Sequence, residues 1–350
     1  MAKLTFNGVG ITAIAACVPK NVSSNYNMEH LMPREEIEKT VNSIGIKEKR
    51  FVDKNVCTSD LCFKAAEKLF EDNNIERSSI DMLLFLSQTP DYKIPATSPS
   101  LQHRLGLPES TACLDLSLGC SGYVYALSTA FAYASGEGIN RVLLLVGDTF
   151  SKIVNPLDKV NGPLYGDAGT ATLIEKGDFT KSYFCLFADG SGSDAVIIPS
   201  GQCRIPATSE NILEAVQEDG SVRSENELFM NGMDVFNFSL KVVPKSIKEI
   251  VAFSNSTLDD IDYIVLHQAN RYMTDFLIKR IKYTGGQVPY CMDKYGNTSS
   301  PSIPLTISSE MAGVSLENKK VVMCGFGAGL SWGAIYYEFS KCKVSEVIEY

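Results

Sequence analysis

The sequence predicts an α/β fold made of two similar halves, and three observations carry that expectation. Near-continuous apolar runs, Ile80–Leu86 and Arg141–Val146, suit strands of a parallel sheet covered on both faces. The same order of elements returns about 180 residues later, at Ile261–Leu266 and Lys319–Gly325, as a duplicated unit requires. The stretch Leu114–Gly122 joins strand-period alternation to a long Ala-rich segment through Gly119, the join of a βα unit.

Composition sets the outer bounds. The chain has 350 residues, 45% hydrophobic and 21% charged, which exceeds what one small core needs and implies two domains or two fused halves. A net charge of -9 without a dense Lys/Arg block argues against nucleic-acid binding. Ten cysteines are scattered without a CxxC pair or a Cys/His cluster of zinc spacing, so no metal site, no disulfide scaffold and a cytoplasmic protein with reduced thiols are expected. Val9–Val18 resembles a short signal-peptide core after Lys3, but Gly8, Gly10 and Pro19 make a buried strand the better reading. No stretch approaches the ~20 apolar residues of a membrane span.

In chain order, Asn27–Lys39 reads as a polar helix-loop region. Ser59–Asn73 reads as an amphipathic helix capped by Thr58 or Ser59, with Leu61, Ala65, Ala66, Leu69 and Phe70 on one face. The strand Ile80–Leu86 follows, then a Pro-rich loop over Pro90–Pro99 and a short helix to Leu105. After the Leu114–Gly122 turn, the Ala-rich helix ends at Gly136, and Arg141–Asp148 is the next buried strand. The second half begins a helix at Val235 that Pro244 interrupts, then a strand at Ile261–Leu266 that matches Ile80–Phe85 in residue type. A strand-turn-helix is expected around Gly296-Asn297, and a last strand at Lys319–Gly325. Phe150–Tyr165 and Gly190–Glu227 are polar, Gly/Ser-rich interruptions.

Candidate chemistry lies in the turns. Cys120 falls at a strand-to-helix turn, where a helix dipole favours thiolate and where the geometry resembles a nucleophile elbow. A buried packing cysteine is the plain alternative. His267 ends a buried second-half strand, a position that holds either a satisfied core histidine or a ligand group; His30 and His103 sit in polar surroundings. Asn297, among small hydroxyl residues, is either an ordinary αL turn residue or a site residue. Gly325-Phe326-Gly327-Ala328-Gly329 lacks a P-loop lysine, and its amides suit an oxyanion hole better than a phosphate.

Taken together, Asp115-x-Ser117-x-Gly119-Cys120-Ser121-Gly122, His267-Gln268-Ala269-Asn270, Tyr295-Gly296-Asn297-Thr298-Ser299 and Gly325–Gly333 resemble the β-ketoacyl-[acyl-carrier-protein] synthase III family of the thiolase superfamily. Gly45–Arg50, Tyr165–Gly169 and Met230-Asn231-Gly232 extend the resemblance over nearly the whole chain. It implies a thiolase-like fold: two βαβαβαββ halves, expected here at 1–178 and 179–350, in an α-β-α-β-α arrangement, assembled as a homodimer. It implies acyl transfer to Cys120, then decarboxylative condensation with a malonyl extender. His267 and Asn297 would polarise the extender carbonyl, and the amides of Cys120 and Ala328 would form the oxyanion hole. No cofactor is implied.

Neighbouring families fit less well. A thiolase would need a second active-site cysteine, and Cys324 lies on the apolar strand rather than in the loop. A hydroxymethylglutaryl-CoA synthase would need a marked first-half glutamate, and a chalcone-synthase-like enzyme fits Trp332-Gly333 poorly. A non-condensing acyltransferase to an alcohol or amine stays open. In relatives Ile94–Ser100 lies where the acyl tunnel crosses the dimer. The resemblance also places Lys39 and Lys159 where relatives hold the adenine of coenzyme A with Trp and Arg, so acyl carrier protein is the expected carrier over coenzyme A thioesters. Arg271, Lys279, Arg280 and Lys282 would dock it.

Overall fold

A computed structural model describes residues 2–350. The first half runs β1 (Ala2–Phe6), β2 (Val9–Val18), β3 (Asn21–Ser24), α1 (Arg34–Ile44), β4 (Glu48–Phe51), α2 (Thr58–Asn73), β5 (Met82–Leu86), α3 (Thr97–Arg104), β6 (Ala112–Leu116), α4 (Gly122–Ser135), β7 (Arg141–Thr149) and β8 (Asp167–Lys176). The second begins with β9 (Ser182–Ala188) and an excursion carrying β10 (Val196–Ile197), β11 (Ala215–Val216), β12 (Val222–Arg223) and β13 (Phe229–Met230). It continues through α5 (Gly232–Phe253), β14 (Tyr263–Leu266), α6 (Arg271–Ile281), α7 (Met292–Tyr295), α8 (Ser302–Met311), β15 (Lys320–Gly327), β16 (Ser331–Glu338), β17 (Lys343–Val344) and β18 (Ile348–Glu349).

The elements stack in five layers, as the resemblance implies. Helices α2 and α3 cover one face of the first-half sheet, burying Leu61, Ala65, Leu69 and Leu101 against Leu83 and Leu143. Helices α5 and α6 cover the outer face of the second sheet with Val243, Ile247, Ile250 and Leu277. Between the sheets lie α4 and α8, whose Tyr123, Leu127, Phe131, Ile303 and Ile307 join strands of both halves in one core. That position explains why α4 is apolar nearly all round: it has no solvent face to speak of. The same burial carries α5 through Pro244. Proline removes an intrahelical N–H, yet Val242, Val243 and Ile247 around it are buried and hold the helix together.

Some local expectations change. Cys57, rather than Thr58 or Ser59, is the cap of α2, its N–H donating to Asp60 at 2.8 Å; the Ser59 hydroxyl is spent on Asp91. Pro99 lies within the first turn of α3, where a missing N–H costs nothing, so the loop ends earlier than its prolines suggest. The apolar strands do not form purely parallel sheets. β6, β5 and β7 are parallel, but β7, β8 and β2 are antiparallel, as are β15, β16, β9 and β1. Covering helices make a strand apolar on both sides whatever its polarity, so composition alone could not separate the two cases.

The repeat is physical. Asp81 N–H donates to the Arg141 carbonyl at 3.1 Å, and the Asp81 carboxylate accepts the Arg141 N–H at 2.9 Å. Asp262 makes the same pair with Lys320, both at 2.9 Å. The shared Ile-Asp start therefore clips one strand to the start of its neighbour, and it places Lys320, not Lys319, opposite Arg141. In the second half the strand matching β6 shrinks to a single parallel bridge, Tyr263 with Gln287. The terminal segments cross over: β1 pairs with β9 of the second half, while β17 and β18 pair with β2 of the first.

Candidate active site

Two turns meet between the halves. β6 ends at Leu116, and Ser117–Gly119 leads to Cys120 and the start of α4 at Gly122. The glycine-rich end of β15 packs directly onto this turn. A Cβ on Gly325 would lie 2.9 Å from Ser121 Cα, and one on Gly327 would lie 2.7 Å from Cys120 Cβ, so only glycine admits that approach. The backbone amides of Cys120 and Ala328 are thereby both brought to the sulfur. Ser331 locks the loop, its hydroxyl 2.6 Å from that of Ser121.

The expected thiolate is corrected by this packing. Burial pushes the Cys120 thiol up to about 11, and the Asp148 carboxylate adds to the rise. The Ser299 hydroxyl, 3.9 Å from Sγ, and the two amides pull it back only in part. The resting side chain is a thiol at neutral pH, because the desolvation of a buried charge outweighs the helix start.

His267 directly follows β14 and is 2% exposed. Its Nδ1 lies 2.8 Å from Ser302 Oγ, and its ring stands edge-on to Phe326. Burial holds the imidazole down to about 3, against a hydrogen bond with the Ser299 backbone that works the other way, so it is neutral at pH 7. Asn297 is held by the first half. Its N–H donates to Leu164 at 2.8 Å, and its carbonyl accepts the Gly166 N–H at 3.1 Å, forming a bridge beside Tyr165. Its Oδ1 accepts the Ser299 N–H at 2.9 Å, which aims the amide nitrogen away from that bond. The positive-φ residues of this loop are Gly296 and Ser299, not Asn297.

Cys120, His267, Asn297 and Ala328 line one cavity, together with Tyr165, Met230 and Phe326. His30 and His103 are exposed, and Cys324 is buried on β15 as a packing residue. Asp148, which sequence reasoning passed over, is fully buried at the end of β7. It accepts the Ser87 hydroxyl at 3.1 Å, the Gln88 N–H at 2.8 Å, and the Ser300 N–H and hydroxyl at 3.1 and 2.6 Å. It thus ties the Asn297 loop to the first half; an aspartate ending an apolar strand was the only signal for it.

The basic residues of α6 are distributed unequally. Arg271 is paired with Asp275 at 2.8 Å and lies over the Tyr290 ring. Lys279, Arg280 and Lys282 are exposed. Arg280 shares a groove with Lys241, Lys245 and Lys248 of α5, which the sequence reading did not connect to it. Lys39 is exposed on α1, and Lys159 reaches the turn at Gly220.

Two similar halves in five layers, with a cysteine heading a buried central helix, define a thiolase-like protein. Comparison narrows the class. Residues 114–190 match 3-Oxoacyl-[acyl-carrier-protein (ACP)] synthase III and residues 251–339 match that family's C terminal region. The Beta-ketoacyl-[acyl-carrier-protein] synthase III of Caldanaerobacter subterraneus is 32% identical over 95% of this chain and 98% of its own length. That of Clostridium acetobutylicum is 32% identical over 96% and 100%. The solved 3-oxoacyl-(Acyl-carrier protein) Synthase from Burkholderia xenovorans superposes with a TM-score of 0.92 at 36% identity, covering 100% of this chain and 99% of its own. The chain belongs to the 3-oxoacyl-[acyl-carrier-protein] synthase III family and is an acyltransferase of the condensing type. Among the described residues no helix is long and apolar enough to cross a membrane.

Proposed function

We propose that Cys120 carries the acyl group and that His267 and Asn297 drive decarboxylative condensation on it. The observation that carries this reading is the convergence of thiol, imidazole and carboxamide on one cavity, with two amides at the sulfur. Cys120 Sγ attacks the thioester carbonyl. The oxyanion is held by the amides of Cys120 and Ala328, and the donor thiol leaves with a proton. A malonyl thioester then places its carbonyl oxygen at His267 and Asn297. Ser302 holds the ring at Nδ1, and in the tautomer with its proton on Nε2 the neutral N–H and the Asn297 amide donate to the enolate as carbon dioxide departs. The carbanion attacks the acyl-Cys120 carbonyl and the 3-oxoacyl product is released.

The carrier is acyl carrier protein in this reading, with the product entering fatty acid or related specialised acyl synthesis. Lys279 and Arg280 provide the cationic face, joined by Lys241, Lys245 and Lys248. Arg271 is already neutralised, and Lys282 adds to the field from the end of α6. A homodimer is supported by β6, the outer strand of its sheet, whose second edge has no strand beside it among the described residues, and by exposed Tyr92 and Ile94. The halves 1–178 and 179–350 act as paired units within each subunit. Free cysteines throughout fit a cytoplasmic enzyme.

The test is intact mass after incubation with acyl thioesters, followed by malonyl-carrier protein. Acyl mass on Cys120, then release of carbon dioxide with 3-oxoacyl product, is expected. Acyl transfer to an alcohol or amine with no carbon dioxide from any malonyl thioester would establish the non-condensing alternative. The two enolate donors favour condensation, since plain transfer has no use for them.

A further inference from the structure

The polar groups lining the cavity are nearly all accounted for. Cys120, His267 and Asn297 belong to the proposed reaction, and Asn270 spends its carbonyl capping α6 through the Met273 N–H at 2.8 Å. Tyr165 is left over. Its ring is 4% exposed and stacked on Phe150 at 4.8 Å, so it has little freedom to turn away. Its backbone is bridged to Asn297, which fixes its place beside the reacting groups. The hydroxyl has one hydrogen-bond partner among the described residues, the Met230 thioether at 3.7 Å. A thioether is a weak acceptor, and Met230 itself lines the cavity. Burial keeps the phenol protonated, with the Asp158 and Asp148 charges acting the same way, so the group is a donor throughout the neutral range.

A strong donor shielded from water beside a poor acceptor is unfavourable unless a ligand completes it. The surrounding walls are apolar: Leu164, Val196, Val235 and Phe326 offer the hydroxyl no acceptor. We propose that Tyr165 selects an acyl group bearing a hydrogen-bond acceptor, a hydroxyl or keto oxygen on the chain, over the saturated alkyl group of the same length. The inference rests on the reading of Cys120 as the acylated residue. An oxygen-bearing chain takes the Tyr165 proton in a short O–H···O bond and displaces the sulfur. An alkyl chain leaves the phenol as it stands. Sites built to bond a substrate oxygen discriminate against the analogue lacking it far better than apolar pockets discriminate by size.

The experiment compares butyryl, 3-hydroxybutyryl and 3-oxobutyryl N-acetylcysteamine thioesters, with the rate of acyl-enzyme formation read by intact mass and the site by peptide mapping. A common thiol carrier makes the ratio of rates report the acyl group alone. The wild type is expected to acylate about tenfold faster with the oxygenated chains, a single added hydrogen bond's worth of discrimination. Tyr165→Phe should bring that ratio to about one, and Met230→Leu, which removes the competing sulfur and keeps the phenol, should keep or raise it. A wild-type ratio at or below one overturns the proposal. So does an unchanged ratio in Tyr165→Phe, including the case in which both rates fall together because the phenol serves the carrier arm. Acyl mass on a residue other than Cys120 overturns the underlying reading of the site, whatever the ratio.

Discussion

Cys120 and Ser299 occupy matching turns in the two halves, 179 residues apart, and face each other at 3.9 Å. Each precedes a helix of the central layer, α4 from Gly122 and α8 from Ser302. Their supports differ. The first turn is delivered by a full strand, β6, within its own half. The second has lost that strand to a single bridge, and its loop is pinned instead to Leu164, Gly166 and Asp148 of the other half. Duplication brought two helix starts to one centre. Divergence let one present a nucleophile on a rigid strand end and let the other hang its carboxamide from the opposite half, where it can face that nucleophile.

The sharpest way to break this comparison is to delete each turn's side chain. Cys120→Ala should lower acylation by at least ~10⁴-fold, whereas Ser299→Ala should cost no more than about tenfold, read by intact mass. Comparable losses would mean the two turns share the nucleophilic role. Next in size, Asn297→Ala and His267→Ala should reduce condensation by ~10²–10³ while leaving acyl-Cys120 formation in place. Equal loss of both steps would place those groups in acylation.

The pH dependence separates the turns further. With the thiol near 11, iodoacetamide alkylation of Cys120 should rise about tenfold per pH unit from pH 7 to 10. A plateau below pH 8 would restore the thiolate. Decarboxylation should show no break near 6.5 from His267, whose imidazole stays neutral down to about 3. In the unfolded chain that histidine takes up a proton near 6.5, so its contribution to stability is complete above 6.5 and drains away as pH falls from 6.5 toward 3. Urea titrations between pH 7 and 4 read that slope. The smallest expected effect tests the symmetric part of the design. Asp81→Ala and Asp262→Ala should each cost about 1 kcal/mol in the same titration, since each removes the same acceptor from a strand start. Unequal costs would mean that the two halves rely on the clip to different degrees.

The strands and the repeat were legible because burial on both faces leaves an unbroken apolar signature, and because the Ile-Asp clip needs the same side chain twice. Polarity of pairing was not, since a strand between helix layers reads alike in either direction. The Cys120, His267 and Asn297 positions followed from motifs at strand ends. Their shared cavity could not be read from local sequence, because the Asn297 loop takes its backbone bonds from residues over a hundred positions away, Leu164 and Asp148 among them. The thiolate expectation failed for a related reason: a helix start is local, whereas the glycine loop that packs against Cys120 arrives from β15. Asp148 carries no motif, and its importance lies wholly in the donors that converge on it.

The crossed terminal strands bear on how this chain is made. The outer edge of β2 is covered by residues 343–344 and 348–349, and β1 lines the far sheet beside β9. On the ribosome, the first half therefore emerges with one sheet edge bare and with its leading strand promised to a partner not yet synthesised. The edge of β2 therefore stays open until residues 343–349 have been made, while β1 waits only for β9, so the two halves complete their sheets at different points of synthesis.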